Sequence, residues 1–286
     1  MEKEEETWSF EITPDRSLVD LRLKDIWQYR DLLFLLVRRD FVSFYKQTVL
    51  GPIWFFVQPV ITIIFYSIVF GSLAGIPTDG IPKPIFYLAG TILWNYFADC
   101  LTKTSTVFRD SAPLMGKVYF PRLIMPLSIV ASNLIRFGVQ VLLFIILLVF
   151  YNIKAGHTML NWYALLFPLL VVLIALQGLS LGMIISAVTT KYRDIAFIIS
   201  FGVPLCMYAT TVIYPLSVAE TKFHNYGWIV KYNPVTPVIE TFRYGFLGRG
   251  DFSWMQLGYC VAVTLVLLVL GTAIFNKTEK TFVDTV

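Results

Sequence analysis

Side chains that carry chemistry are scarce in this chain. It has two histidines and three cysteines in 286 residues. Cys100, Cys206 and Cys260 stand far apart, each in or beside an apolar run. Zinc ligands and disulfide frameworks need cysteines paired at short spacing, so neither is expected. The three read instead as small buried hydrophobes. His157 and His224 fall in connections and are expected to be solvated. Charge is short as well, at 15% of residues against 57% hydrophobic, where a soluble domain is nearer a quarter charged. The net charge of +4 is spread along the chain rather than gathered into a stripe, so nucleic acid is not an expected partner.

Motifs for bound nucleotide and for hydrolysis are missing too. A phosphate loop needs G-x-x-x-x-G-K-[ST], whose backbone N–H groups cradle phosphate. Here Gly116-Lys117 is followed by Val118. Neither an H-E-x-x-H site nor a G-x-S-x-G elbow is read in the chain. No catalytic residue, metal or cofactor is therefore assigned to this chain. Acids are nearly absent from the long apolar runs, with Asp99 the exception. Ion-driven carriers keep carboxylates or histidines there as relays, so the composition argues against a proton-coupled carrier.

What the chain has in quantity is apolar length. A helical span needs about 20 mostly apolar residues. Six candidates stand at about 51–72, 85–103, 123–151, 162–188, 195–216 and 254–275. An all-α integral membrane protein is expected, without a cleavable leader, because 1–20 is acidic and polar. The segment 1–30 reads as a polar tail, with EKEEE at 2–6 disordered, and 31–286 as one transmembrane domain. If the N-terminus is cytoplasmic, the inner side holds 16 Lys/Arg and the outer side six, with Arg136 inside a span. The positive-inside rule then puts both termini in the cytoplasm.

Residues 31–47, DLLFLLVRRDFVSFYKQ, precede the first span. Leu35, Phe41, Val42, Phe44 and Tyr45 against Arg38, Arg39, Ser43 and Lys46 read as a basic amphipathic helix lying in the membrane interface, with Asp31 as its cap. Pro52 suits the first turn of the next helix, and Pro59 lies deeper. Deep in the third span, Asn133, Arg136 and Gln140 share one face. A lipid-facing arginine there is costly, so the stripe should meet protein or water. It is either a channel wall or an interhelical network. Depth counting places Asp99 roughly 12 Å nearer the cytoplasm than Arg136. Gly178, Gly182 and Ser186 repeat at four-residue spacing, which lets helices approach closely. Between the last two spans, 217–253 is not loop-like. Pro237 can open and Gly248 can close an apolar helix too short to span, with Glu240 and Arg243 placed to pair. Such a segment re-enters the outer leaflet or covers a pore mouth.

Several stretches, in order, resemble the type-2 ABC exporter permeases of polysaccharide export. They are RRDFVSFYKQTVLGPIWFFVQP (38–59), FGSLAGIP (70–77), FYLAGTILWNYF (86–97) and GKVYFPRLIMP (116–126). KYRDI (191–195), VIYP (212–215), YNPVTPVIETFRYGFLG (232–248) and TEKTFVDTV (278–286) follow. That family serves O-antigen, capsule and teichoic-acid export. The resemblance implies a homodimer with two copies of a separate cytoplasmic ATPase, which would hold ATP and Mg. It implies that 31–47 is the helix touching the ATPase. Arg109, Lys117, Arg122, Lys191, Arg193 and Asp194 would belong to coupling loops. The region 217–253, with Pro234, Pro237, Glu240 and Arg243, would be an outer gate. The substrate would be a polyprenyl-diphosphate-linked glycan loading from the inner leaflet, where Arg38, Arg39 and Lys46 could attract the diphosphate. A glycan path favours aromatic faces, for which Trp54, Tyr66, Trp94, Tyr208 and Tyr214 are candidates beside the Asn133–Arg136–Gln140 stripe. Two other readings stay open. One is a permease for another lipid, a drug or haem. The other is an intramembrane glycosyltransferase, for which Asp79, Glu220, Glu240 and Asp251 are scattered rather than paired.

Overall fold

The computed structural model describes residues 23–46, 48–115, 120–156, 159–222 and 226–282. Lys117, His157 and His224, the acidic leader and the last four residues of the TEKTFVDTV terminus lie outside the described residues. Among the described residues every regular element is helical.

The chain opens with a short helix, α1 (Leu23–Gln28), and the amphipathic α2 (Arg30–Tyr45). A 3₁₀ turn at Gly51–Ile53, opened by Pro52, leads into α3 (Trp54–Tyr66), which carries Pro59 inside it and continues as a π-helix, Ser67–Leu73. Next come α4 (Lys83–Ser105), the short α5 (Val107–Met115) and the long α6 (Ile124–Ala155). A 3₁₀ segment, Trp162–Leu166, feeds α7 (Phe167–Lys191), followed by α8 (Ile195–Cys206) with a 3₁₀ turn to Ala209. Three short helices, α9 (Leu216–Lys222), α10 (Gly227–Lys231) and α11 (Thr236–Leu247), precede α12 (Trp254–Phe282).

Four of these helical stretches are long and apolar enough to cross a membrane: Gly51–Leu73, Ile124–Ala155, Trp162–Lys191 and Trp254–Glu279. They match four of the six expected spans. The expected second span is the 23-residue α4, but Asp99, Lys103 and its threonines make it more polar than the rest. The expected fifth span is shorter than 195–216. Its helical part ends at Ala209, with Pro204 inside the last turn and Thr210 in extended backbone (φ −131°, ψ 171°). Proline supplies no N–H and disturbs the preceding turn, and an extended residue ends the helix outright.

The helix α4 forms the centre. It packs most extensively on α7, which in turn packs on α12. The small-residue stripe makes this possible within one subunit. A Cβ at Gly178 would stand 2.8 Å from the Phe97 carbonyl oxygen, and one at Gly182 2.6 Å from Thr104 Cβ and 2.9 Å from the Leu101 oxygen. Gly271 of α12 approaches the Ser180 carbonyl equally closely, at 2.8 Å. The same stripe contains the spacing G-x-S-x-G, as GLSLG at 178–182, which the sequence reading passed over. Ser180 is buried in mid-helix and donates to the Leu176 carbonyl (2.6 Å), so it is a packing residue and no elbow. Cys100 and Cys260 are buried as expected, whereas Cys206 is exposed on α8.

In α2 the buried side differs from the expected one. Leu36 is 1% exposed, with Leu32 and Leu33 partly buried against the same cluster, while Leu35 and Phe34 are 61% and 71% exposed. Leu36 joins Phe108, Ile124, Met183 and Phe275, so α2 caps the ends of α6, α7 and α12. Asp31 is not the cap. Tyr29 occupies that position without a side-chain bond, and Asp31 sits in the first turn, where its charge still suits the helix dipole.

Candidate functional site

Beyond Leu36 the face of α2 that meets α6 turns polar, and a cavity of about 350 Å³ opens there. Asp40, Phe41 and Ser43 line it from α2, Lys103 from α4, and Ile129, Ser132, Asn133 and Arg136 from α6. Asp40 is already engaged. Arg39 donates to Oδ1 through Nε (3.0 Å) and Nη2 (2.8 Å), and Ser132 Oγ donates to Oδ2 (3.4 Å). Across the cavity, Lys103 Nζ donates to Asn133 Oδ1 at 2.8 Å. Arg136 lies 3.8 Å from Asp99 Oδ2, and its guanidinium sits 5.6 Å over the Phe55 ring, which stacks on Phe41 at 6.1 Å.

The Asp99–Arg136 contact overturns the 12 Å offset expected from depth counting. The helices α4 and α6 are antiparallel, and Lys103–Asn133 and Asp99–Arg136 fix one register. Depth counting had placed both helix ends at one level. Gln140, one turn above Arg136, is half-buried and does not line the cavity.

The remaining candidates divide by exposure. Arg38 and Lys46 are exposed, whereas Arg39 is bound to Asp40. Trp54 and Tyr208 are 41% and 50% exposed. Tyr66 is half-buried and packs edge-on to Phe70 and Tyr87. Trp94 and Tyr214 are buried within the chain. Trp94 packs on Phe97, and the Tyr214 hydroxyl donates to the Tyr208 carbonyl (2.5 Å). Both side chains pack within the chain. Among the coupling candidates, Arg109 is exposed and pairs with Asp110 (2.9 Å), and Lys191, Arg193 and Asp194 are exposed at the α7–α8 turn. Arg122 is tied down: its Nη1 donates to the Glu279 carbonyl at 2.7 Å, joining the start of α6 to the end of α12.

At the other end of α4 lies a second polar centre, and it is closed. Pro237 opens α11, and Gly248 ends it in the left-handed conformation (φ 64°), both as expected. Glu240 and Arg243 pair at 3.2 Å, each 1% exposed. Arg243 Nη1 also donates to the Thr211 carbonyl (2.5 Å), and Nη2 to the carbonyls of Val212 (3.0 Å) and Phe86 (3.4 Å). The guanidinium carbon stands 3.7 Å over the Phe86 ring. Glu240 Oε2 accepts from Asp251 N–H (3.3 Å). The segment read as an outside connection is thus a buried core element that binds the end of α8 to α4. Pro234, just before it, accepts at its carbonyl from Gln177 Nε2 (3.1 Å), which also reaches Thr264 Oγ1 (3.1 Å).

The sequence reading passed over three of these residues. Lys103 was counted only as a topology marker, Asp40 was not singled out, and Gln177 went unnoticed. A signal existed for each. Lys103 stands four residues after Asp99 on one helical face, Asp40 interrupts the apolar face of α2, and Gln177 is a lone amide in an apolar run.

Residues 31–247 match the profile of the family described as ABC-2 type transporter. The O-antigen export system permease protein RfbA of Myxococcus xanthus is 27% identical over 265 residues, covering 92% of this chain and 98% of that protein. Two proteins of the same name from Klebsiella pneumoniae are each 26% identical over 255 residues, covering 89% of this chain and 94% of theirs.

Proposed function

The chain belongs to the ABC-2 type transporter family, and from that premise we propose that it is the membrane-spanning permease of an ATP-driven exporter of O-antigen-type polysaccharide. One observation carries this reading. Similarity to permeases named for O-antigen export runs over nearly the full length of both chains, so the shared unit is a whole permease and not a single helix pair. The protein is a multi-pass membrane protein and a transport subunit rather than an enzyme.

In this reading α4 and the α8 segment join the four long apolar helices to make six spans. The polarity of α4 fits a helix enclosed by its neighbours rather than by lipid, since 16 of its residues are buried. The Lys/Arg distribution puts both termini in the cytoplasm of a cell with the chain in its inner membrane. The helix α2 lies at the inner face as the interface helix, and α9 to α11 form the outer gate. The energy comes from a separate ATPase carrying ATP and Mg, two copies against a permease homodimer, with 109–122 and 191–194 as contacts. The cargo is a polyprenyl-diphosphate-linked glycan.

Complementation tests the function. Co-expressed with its ATPase in a strain lacking its own O-antigen permease, the chain should restore surface O-antigen, read as a lipopolysaccharide ladder and by surface antibody. Restoration should disappear when the ATPase cannot hydrolyse ATP. No surface polymer despite normal membrane insertion, or export without hydrolysis, would overturn the reading.

A further inference from the structure

The cavity between α2, α4 and α6 has more hydrogen-bond donors than acceptors to receive them. Asp40 is committed to Arg39 and Ser132. The Lys103 ammonium has three N–H donors and donates to Asn133 Oδ1 (2.8 Å). Among the described residues no carboxylate lies within ion-pair distance of it. Asn133 is 2% exposed, and its Nδ2 meets only the Cys100 thiol, a weak acceptor. A buried amide N–H₂ with so weak an acceptor is poorly satisfied, and the Lys103 ammonium has one neutral oxygen in contact, with Asp99 and Asp40 near but beyond ion-pair distance. Arg136 adds a second positive charge on the same wall. The volume, about 350 Å³, is roughly that of ten water molecules. What completes such a wall is an anion with several oxygens.

We propose that this cavity binds the phosphate group of a lipid, with Lys103 as the direct donor, Asn133 holding it in place and Arg136 as the supporting cation. The neighbouring groups fit an amphiphile. Phe41 and Phe55 stack beside Arg136, and exposed apolar side chains, Ile53 of the 3₁₀ turn and Trp54 of α3 among them, belong to the same helical stretch as Phe55, giving an alkyl chain an apolar surface next to its charged head. Two lipids share this chemistry, an anionic phospholipid of the bilayer and a polyprenyl diphosphate. The inference rests on the membrane-facing placement of α2 in the proposed function, but not on the cargo being a glycan.

The test uses the full-length chain purified with its ATPase partner in nanodiscs. In one arm phosphatidylglycerol is titrated into phosphatidylcholine discs; in the other, undecaprenyl diphosphate is added. Binding is read by native mass spectrometry and by photo-crosslinking mapped to α4 and α6. Lys103→Gln and Asn133→Asp, whose new carboxylate would neutralise Lys103, should each weaken retention at least tenfold, and Lys103→Arg should keep it within threefold. Melting temperature confirms folding of each variant. Preference for the diphosphate identifies the site as a cargo site. Preference for phosphatidylglycerol identifies a resident-lipid site. Equal retention by wild type, K103Q and N133D in both arms, or labelling away from α4 and α6, would overturn the proposal. Loss of O-antigen complementation with lipid binding intact would count against the exporter reading and leave this site standing.

Discussion

Arg243 and Arg136 both lie in apolar surroundings with a carboxylate partner, and they do opposite things. Arg243 is 1% exposed and satisfies four of its five N–H donors, one on Glu240 and three on backbone carbonyls, with only Nε left over. Arg136 is 24% exposed, its Asp99 partner stands 3.8 Å away on a side chain 45% exposed, and it borders a cavity. A saturated guanidinium has no capacity left for a ligand and works as a rivet. One that borders a cavity, beside a lysine held by a single neutral oxygen, is placed where a ligand can reach it. Access, rather than mere presence in the membrane, is what separates the two charges.

The contrast is tested most strongly at the rivet. Arg243→Met leaves the Glu240 carboxylate buried without its cation, which should cost about 3–5 kcal/mol. The expected readout is low membrane yield and a large fall in the detergent-solubilised melting temperature. Replacing both, as Glu240→Leu with Arg243→Met, should recover a good part of the loss, because a buried pair exchanged for apolar volume is often neutral. If R243M alone melts like wild type, the hub does not hold α11 in place.

Next in size is the helix contact that sets both polar centres on α4. Gly182→Val would push a side chain against the Leu101 carbonyl oxygen and Thr104. Backbone cannot yield as a side-chain tip can, so about 1–3 kcal/mol is expected, read in the same melting assay. Gly138, with nothing within 4 Å of an added Cβ, is the control, and Gly138→Ala should be neutral or slightly stabilising.

At the cavity the expected stability change is small. Asp99→Asn removes a partly exposed, loosely placed partner, so under about 1 kcal/mol is expected. A loss as large as that of R243M would make the Arg136 cluster a second rivet and erase the comparison.

How much of this was legible beforehand follows from the kind of signal each feature gives. Pro237 at the start of α11, Gly248 at its end and the Glu240–Arg243 pair are local patterns of three to eleven residues, and all three hold. The long apolar runs and the Gly178–Gly182 approach were legible for the same reason. The register of α4 on α6 was not, since no periodicity along one helix states where its neighbour begins. That is why Asp99 and Arg136 were set apart and Lys103 was left among the loops. The setting of α11 was legible only in part. Its apolar length points to a helix that re-enters the membrane or covers a pore mouth, but the carbonyls of Phe86, Thr211 and Val212 that make Arg243 tolerable inside are distant in sequence.

The third charge pair completes the series at its weakest end. Lys231 donates to Glu220 at 2.7 Å, with both side chains over 40% exposed. The hydrogen bond to Glu220, with its charge, raises the Lys231 pKa above the usual 10.5. A lysine whose folded value is raised contributes stability that is fully present below the unfolded value and fades as pH rises through the folded one. Wild type should therefore exceed Glu220→Gln by a few tenths of a kcal/mol at pH 8 to 9. The difference should vanish above the folded Lys231 value, and also in about 1 M salt, where the screening length is about 3 Å. Melting curves of the two proteins across that range decide it. A difference that persists at high pH and high salt would mean that Glu220 acts through packing, and the gradient from buried rivet to solvated pair would lose its lower end.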